Sequence, residues 1–174
     1  PDPVPTPGKV AIVGASEMVS PEGVFPQYSQ LGLHAEAAIR AMKDAGLKPS
    51  DIGGVACAGA SPTETAFYLG ITPTYVDGTS VGGCSFMIHV RHAVAAIEAG
   101  LATTVLVTHG ESGKSGIGRG GWPMGGGASL QAQFEQWTGP MGAPTSFTIP
   151  VMRYLKQYNV TEEQLAMVAV VQRE

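Results

Sequence analysis

The chain has 174 residues, enough for one domain with a substantial core. Charged residues make up only 14% and glycines number 24, so much of the chain belongs in buried or tightly turned positions. The net charge of −4, with no two basic residues adjacent, argues against nucleic acid or an anionic membrane surface as partner, and no apolar run reaches membrane-spanning length.

Residues 1–8 form a Pro-rich tail, and a single α/β unit is expected over 9–174. Lys9–Val13 reads as a short apolar strand ended by Gly14. Leu33–Ala45 has the period of a helix, with His34, Ala38, Ala41, Met42 and Ala45 on one face. Gly46 suits its C-terminal cap. Gly54–Ala58 (GVACA) reads as a strand, and Thr63–Leu69 as a short helix capped by Ser61 or Thr63. Thr74–Val76 is a third strand. It leads through a turn into the knuckle Gly82-Gly83-Cys84-Ser85.

Ser85–Ala99 is the clearest helix, with Phe86, Val90, Ala93, Val94 and Ile97 at helical spacing. It is expected to be the most deeply buried. Thr103–Thr108 is a near-continuous apolar strand, suited to a sheet covered on both faces. Residues 110–127 are a glycine-rich loop. Ala128–Trp137, Ser146–Tyr158 and Thr161–Gln172 read as helices, the last opened by a capping box of Thr161 and Gln164. This order implies a mixed or mostly parallel sheet with helices on both faces.

Four places carry candidate chemistry. Cys84 stands where a helix begins, where unpaired N–H groups and the helix dipole favour a thiolate. A free cysteine after two glycines reads more often as a buried structural thiol. His109 ends an apolar strand, where functional groups gather in open α/β sheets. Lys114 and Arg119, on the glycine-rich loop, are placed to meet a phosphate or to be solvated. GESGKSG fails the spacing of a phosphate-binding P-loop. His89 and His92 lie three residues apart on one helix, but no third ligand stands near, so no metal is expected. Cys57 and Cys84 show no zinc spacing, and reduced thiols point to the cytoplasm.

In this order, four segments together resemble the thiolase superfamily: KVAIVGASE, LHAEAAIRAMKDAGLKPSDIGGVACAG, VDGTSVGGCSFMIHVRHAVAAIEAGLATTVLVTHGESGK and FTIPVMRYLKQYNVTEEQLAMVAVVQRE. They are most similar to its sterol-carrier-type thiolases and thiolase-like lipid-transfer proteins. The resemblance implies a layered α-β-α-β-α sandwich of two similar halves. This chain would be the N-terminal half, with a loop insertion at 110–145, and the C-terminal half would be absent from it. It also implies a coenzyme A thioester as substrate with no bound cofactor, and a homodimer through Tyr75–Ser80.

The family's nucleophile position falls on Gly83, with Gly82 and Ser85 beside the substrate. Cys84 then stands one residue late, turned by about 100° on a helix. Related members without the nucleophile carry out retro-aldol cleavage with a small OB-fold partner. Three readings follow: an acyltransferase using Cys84, a retro-aldolase that does not use it, and a non-catalytic acyl-CoA-binding scaffold subunit.

Overall fold

The computed structural model describes residues 8–118, 133–134, 139 and 143–173. The chain divides near residue 120 into two compact units, each taken by itself below.

The first unit is built on a three-stranded parallel sheet in the order β2-β1-β3. Strand β1 is Gly54–Ala58, β2 is Tyr75–Asp77 and β3 is Val105–His109. Gly54 pairs with both Tyr75 and Val105, and Ala58 pairs with His109. Parallel neighbours need long crossovers. Helix α2 (Pro62–Leu69) supplies the first and α3 (Ser85–Glu98) the second. The chain leaves β1 toward one edge and then returns past it to the other. Right-handed crossovers therefore put α2 and α3 on opposite faces of the sheet. Helix α1 (Gln30–Asp44) joins α2 on its face. Covered on both sides, every residue of β1 is buried.

Local signals set the helix ends. Ser29 Oγ accepts from Gly32 N at 3.0 Å and starts α1 three residues before the expected Leu33. Gly46, at φ +69°, ends it, and Leu47 N reaches back to the Met42 carbonyl at 2.8 Å. Of the two caps considered for α2, Ser61 is the one used, accepting from Glu64 N at 3.3 Å. The core on this face joins Ala35, Ala38 and Met42 of α1 to Val55, Leu106, Ala66 and Leu69, with Ile52 and Ile71.

Three expectations need correction. Lys9–Val13 is not a strand. The residues that follow it are pinned to α1: Ala15 N donates to Asp44 Oδ2 at 3.1 Å and Ser16 Oγ to the Ala37 carbonyl at 2.9 Å. Gly14 lies so close that a Cβ there would stand 2.6 Å from the Ala41 carbonyl oxygen.

Helix α3 is not the most buried helix, and the face it turns inward overlaps the expected one at Ala93 but is rotated away from Phe86 and Val90. Phe86 and Val90 are exposed, while Ser85, His89, Ala93 and Ala96 are buried. Both sets have helical period. The set of small residues is the one that lets the helix lie close to the sheet. Strand β3 begins at Val105 rather than Thr103, and its burial alternates, so only one of its faces is fully covered among the described residues.

In the second unit, α4 (Ala143–Tyr158) and α5 (Glu162–Val171) are joined through Asn159 at φ +52°. The capping box forms as expected. Thr161 Oγ1 accepts from Gln164 N at 3.3 Å, and Gln164 Oε1 accepts from Thr161 N at 2.9 Å. The expected helix at Ala128–Trp137 lies largely outside the described residues. Among the described residues no helix is long and apolar enough to cross a membrane.

Candidate functional site

The carboxyl ends of the parallel strands bring Ala58, Asp77 and His109 to one edge of the sheet. The α3 N-terminus follows β2 through a seven-residue turn, 78–84. In open α/β sheets this edge is where ligands bind.

At the start of α3, Gly82 adopts φ +88°, which only glycine takes at little cost. Its carbonyl accepts from Ser85 N at 3.0 Å and from Ser85 Oγ at 2.6 Å. Ser85 Oγ in turn accepts from Val81 N at 2.9 Å. Ser85 is fully buried and closes the turn, so its hydroxyl is committed within the protein.

Cys84 is the residue capping α3, with no side-chain capping bond. Its thiol is exposed and lies 3.9 Å from the Val81 carbonyl. Open space surrounds the position a Gly83 side chain would occupy. The amides of Gly83, Cys84 and Phe86 have no acceptor among the described residues. These three N–H groups form the anion-seeking end of the helix.

Asp77 organises the preceding turn. Its Oδ1 accepts from Thr79 N at 2.9 Å and from Thr79 Oγ1 at 2.7 Å. Its Oδ2 lies 2.6 Å from His92 Nδ1 and 3.4 Å from the Tyr75 hydroxyl. The Thr79 carbonyl accepts from His89 Nε2 at 2.8 Å. Burial opposes the Asp77 charge. The Thr79 amide and hydroxyl, the His92 ring and nearby His89 outweigh it and hold the carboxyl down at about 2. His89 and His92 are thus tied to the β2 exit. Among the described residues no three His, Cys, Asp or Glu side chains converge as a metal site.

A second polar group lies beneath β3. His34 is fully buried on α1, with Nδ1 2.8 Å from Thr108 Oγ1 and no partner for Nε2 among the described residues. Burial, and then the charge on neighbouring His109, lower its pKa to about 4. Fully buried Cys57 lies 3.6 Å from Thr65 Oγ1 and 3.4 Å from the Ala60 carbonyl. Burial pushes its thiol pKa up, against the hydrogen bonds of Thr65 and Thr108.

His109 itself reaches the surface. Its Nε2 is 3.7 Å from Glu111 Oε2, and its ring lies 6.3 Å from that of His34 and 6.2 Å from that of Phe86. Phe86 belongs to the first turn of α3, so the ring contact links His109 to the helix start that carries Gly83 and Cys84.

The glycine-rich loop is partly ordered by its own bridge between Ser112 and Ile117. Lys114 Nζ donates to the Glu22 carbonyl at 3.0 Å, and Ser115 Oγ accepts from Phe25 N at 2.6 Å. Lys114, read from the sequence as either a phosphate ligand or a solvated loop residue, thus ties the loop to residues 20–25. Arg119 lies outside the described residues. Sequence reasoning missed Asp77, although Asp77-Gly78-Thr79 after a strand is the pattern of a side-chain-closed turn. It also left Thr108 as a plain strand residue.

No protein-family model matches the chain. Over 180 aligned residues it is 32% identical to a steroid side-chain-cleaving aldolase from Thermomonospora curvata, an alignment taking in 96% of this chain and 44% of that protein. Among solved structures it resembles the Ltp2-ChsH2(DUF35) aldolase, with a TM-score of 0.70 and 28% identity over 84% of this chain and 38% of that one. A monomeric SCP2-thiolase-like protein type 1 from Mycobacterium smegmatis is similar at 26% identity and a TM-score of 0.47, over 55% of this chain and 22% of the other. The chain spans less than half the length of each of these proteins. With its motifs in family order and this architecture, the chain carries a thiolase-like α/β fold.

Proposed function

We propose that the chain forms part of a thiolase-like retro-aldolase that cleaves a carbon–carbon bond in a β-hydroxyacyl-CoA thioester, with a steroid side chain as the substrate class. The observation that carries this reading is the alignment of 96% of the chain with the Thermomonospora aldolase. The α3 start agrees with it. The family resemblance puts the nucleophile position at Gly83, and Cys84 is the next residue.

In this reaction a base removes the proton of the β-hydroxyl. The Cα–Cβ bond breaks, a ketone leaves, and the electron pair passes into the thioester as an enolate. Protonation at Cα then releases the shortened acyl-CoA. The contribution read from this chain is electrostatic. The free amides of Gly83, Cys84 and Phe86 would receive the thioester oxygen as its negative charge develops. His109, whose ring lies beside Phe86, would pass a proton at that edge.

Coenzyme A enters as part of the substrate. Strand Tyr75–Asp77, at the end of the sheet order with only Val76 exposed, supports a homodimer through Tyr75–Ser80. The name of the Ltp2-ChsH2(DUF35) aldolase supports a second-protein partner, in line with the small OB-fold partner expected from the family. Two free cysteines suit the cytoplasm.

One observation favours acyl transfer instead: the Cys84 thiol is exposed at a helix N-terminus. Incubating the full-length protein and its partner with a steroid β-hydroxyacyl-CoA separates the two. Ketone and shortened acyl-CoA formed without added coenzyme A support the aldolase. No ketone from this substrate, together with coenzyme A-dependent cleavage of a β-ketoacyl-CoA, would show thiolysis instead.

A further inference from the structure

We propose that Asp77 is the positioning residue of the α3 start: through Thr79, His89 and His92 it fixes the 77–84 turn and thereby the amides that face the substrate. The inference rests on the proposed function for what those amides bind, but not for the geometry that sets them.

The turn between β2 and α3 carries three glycines, Gly78, Gly82 and Gly83. Such a segment has a large conformational entropy to lose and few side chains to hold it. Two devices hold it here. Ser85 closes the end next to the helix. Asp77 closes the end next to the strand, where one carboxylate oxygen takes both donors of Thr79. The Thr79 carbonyl is then held by His89 from the body of α3. The other carboxylate oxygen takes His92, one turn further along the same helix.

Strand end, turn and helix are thus connected through a carboxylate whose side chain is only 10% exposed. His89 and His92, at i and i+3, grip the turn at two points and fix how far α3 can slide along β2. A shift of the helix by a fraction of an ångström would carry the Gly83, Cys84 and Phe86 amides with it, and oriented donors lose their effect when displaced.

The carboxylate also sets a tautomer. It can only accept, so neutral His92 carries its proton on Nδ1. Asn at position 77 would keep an oxygen for Thr79 but turn an NH2 group toward His92. The neutral ring must then accept at Nδ1, and its proton moves to Nε2.

The test uses the full-length protein with its partner, comparing wild type, D77N and H92Q. Hydrogen exchange followed by mass spectrometry reads the turn. In D77N, amides of 78–86 should exchange about tenfold faster while α1 and β1 keep their protection. H92Q, whose side chain can still donate to Asp77, should stay near wild type. Histidine 15N shifts should report the change of His92 tautomer in D77N. In the cleavage assay, D77N should lower kcat with KM little changed.

Unchanged exchange over 78–86 in D77N would overturn the proposal. So would a loss of protection spread evenly over α1 and β1, which would mark Asp77 as a general stability residue. If D77N loosens the turn but neither variant nor wild type cleaves the thioester, the positioning role stands and the aldolase reading fails.

Discussion

His34 Nδ1 and Thr108 Oγ1 meet at 2.8 Å inside the first unit, joining α1 to β3 directly beneath His109. The pair is buried, and its histidine is disfavoured in the charged form, with a pKa lowered from 6.5 to about 4. A depressed histidine pKa means the unfolded chain binds the proton more readily. Its stabilising effect is complete above pH 6.5 and is lost as pH falls toward 4. Chemical denaturation should therefore show stability declining across that window. In His34→Phe, which cannot charge, the decline should be smaller.

Gly110 sits against the same histidine. A Cβ there would stand 2.7 Å from His34 Cδ2, 3.0 Å from His34 N and 3.2 Å from the Gln30 carbonyl oxygen. Two of those atoms are backbone of α1 and cannot step aside alone. Gly110→Ala should cost about 1–3 kcal/mol of stability, as overpacked sites do, measured by urea unfolding.

The two cysteines should differ sharply. Cys57 is fully buried with a raised thiol pKa, whereas Cys84 is exposed. Iodoacetamide should label Cys84 in the native protein and reach Cys57 only in denaturant. Mass mapping of the alkylated peptides gives the answer directly, and native labelling of Cys57 would contradict its burial.

Ser85 closes the turn at the helix start with one donated and one accepted bond. Ser85→Ala leaves the Val81 amide without its acceptor. The expected cost is about 1–3 kcal/mol, concentrated in faster exchange at 81–86.

Much of the fold was legible in the sequence. Strand Gly54–Ala58 and helix Ser85–Glu98 fall within a residue of the expected ends, because glycine turns and unbroken periodicity mark them. The outward face of α3 was misread for a physical reason. Period alone cannot tell a Phe/Val stripe from a Ser/His/Ala/Ala stripe, and close packing on the sheet selects the small one. Lys9–Val13 has strand composition, but hydrogen bonds from Ala15 and Ser16 to α1 hold the segment that follows it. At the site, Cys84 and His109 were visible as local signals. The Asp77–His92 and His34–Thr108 contacts were not, since their partners are 15 and 74 residues apart and only the folded topology brings them together.

The central claim is that carbon–carbon cleavage proceeds without a cysteine nucleophile. The most direct measurement is the turnover of a steroid β-hydroxyacyl-CoA by the Cys84→Ala protein with its partner. The account predicts ketone release within about threefold of the wild-type rate, with no acyl group on Cys84 in trapped wild-type enzyme, since no covalent step is removed. A loss of about a hundredfold or more, together with a thioester mapped to Cys84, would contradict it and establish the thiol as the nucleophile.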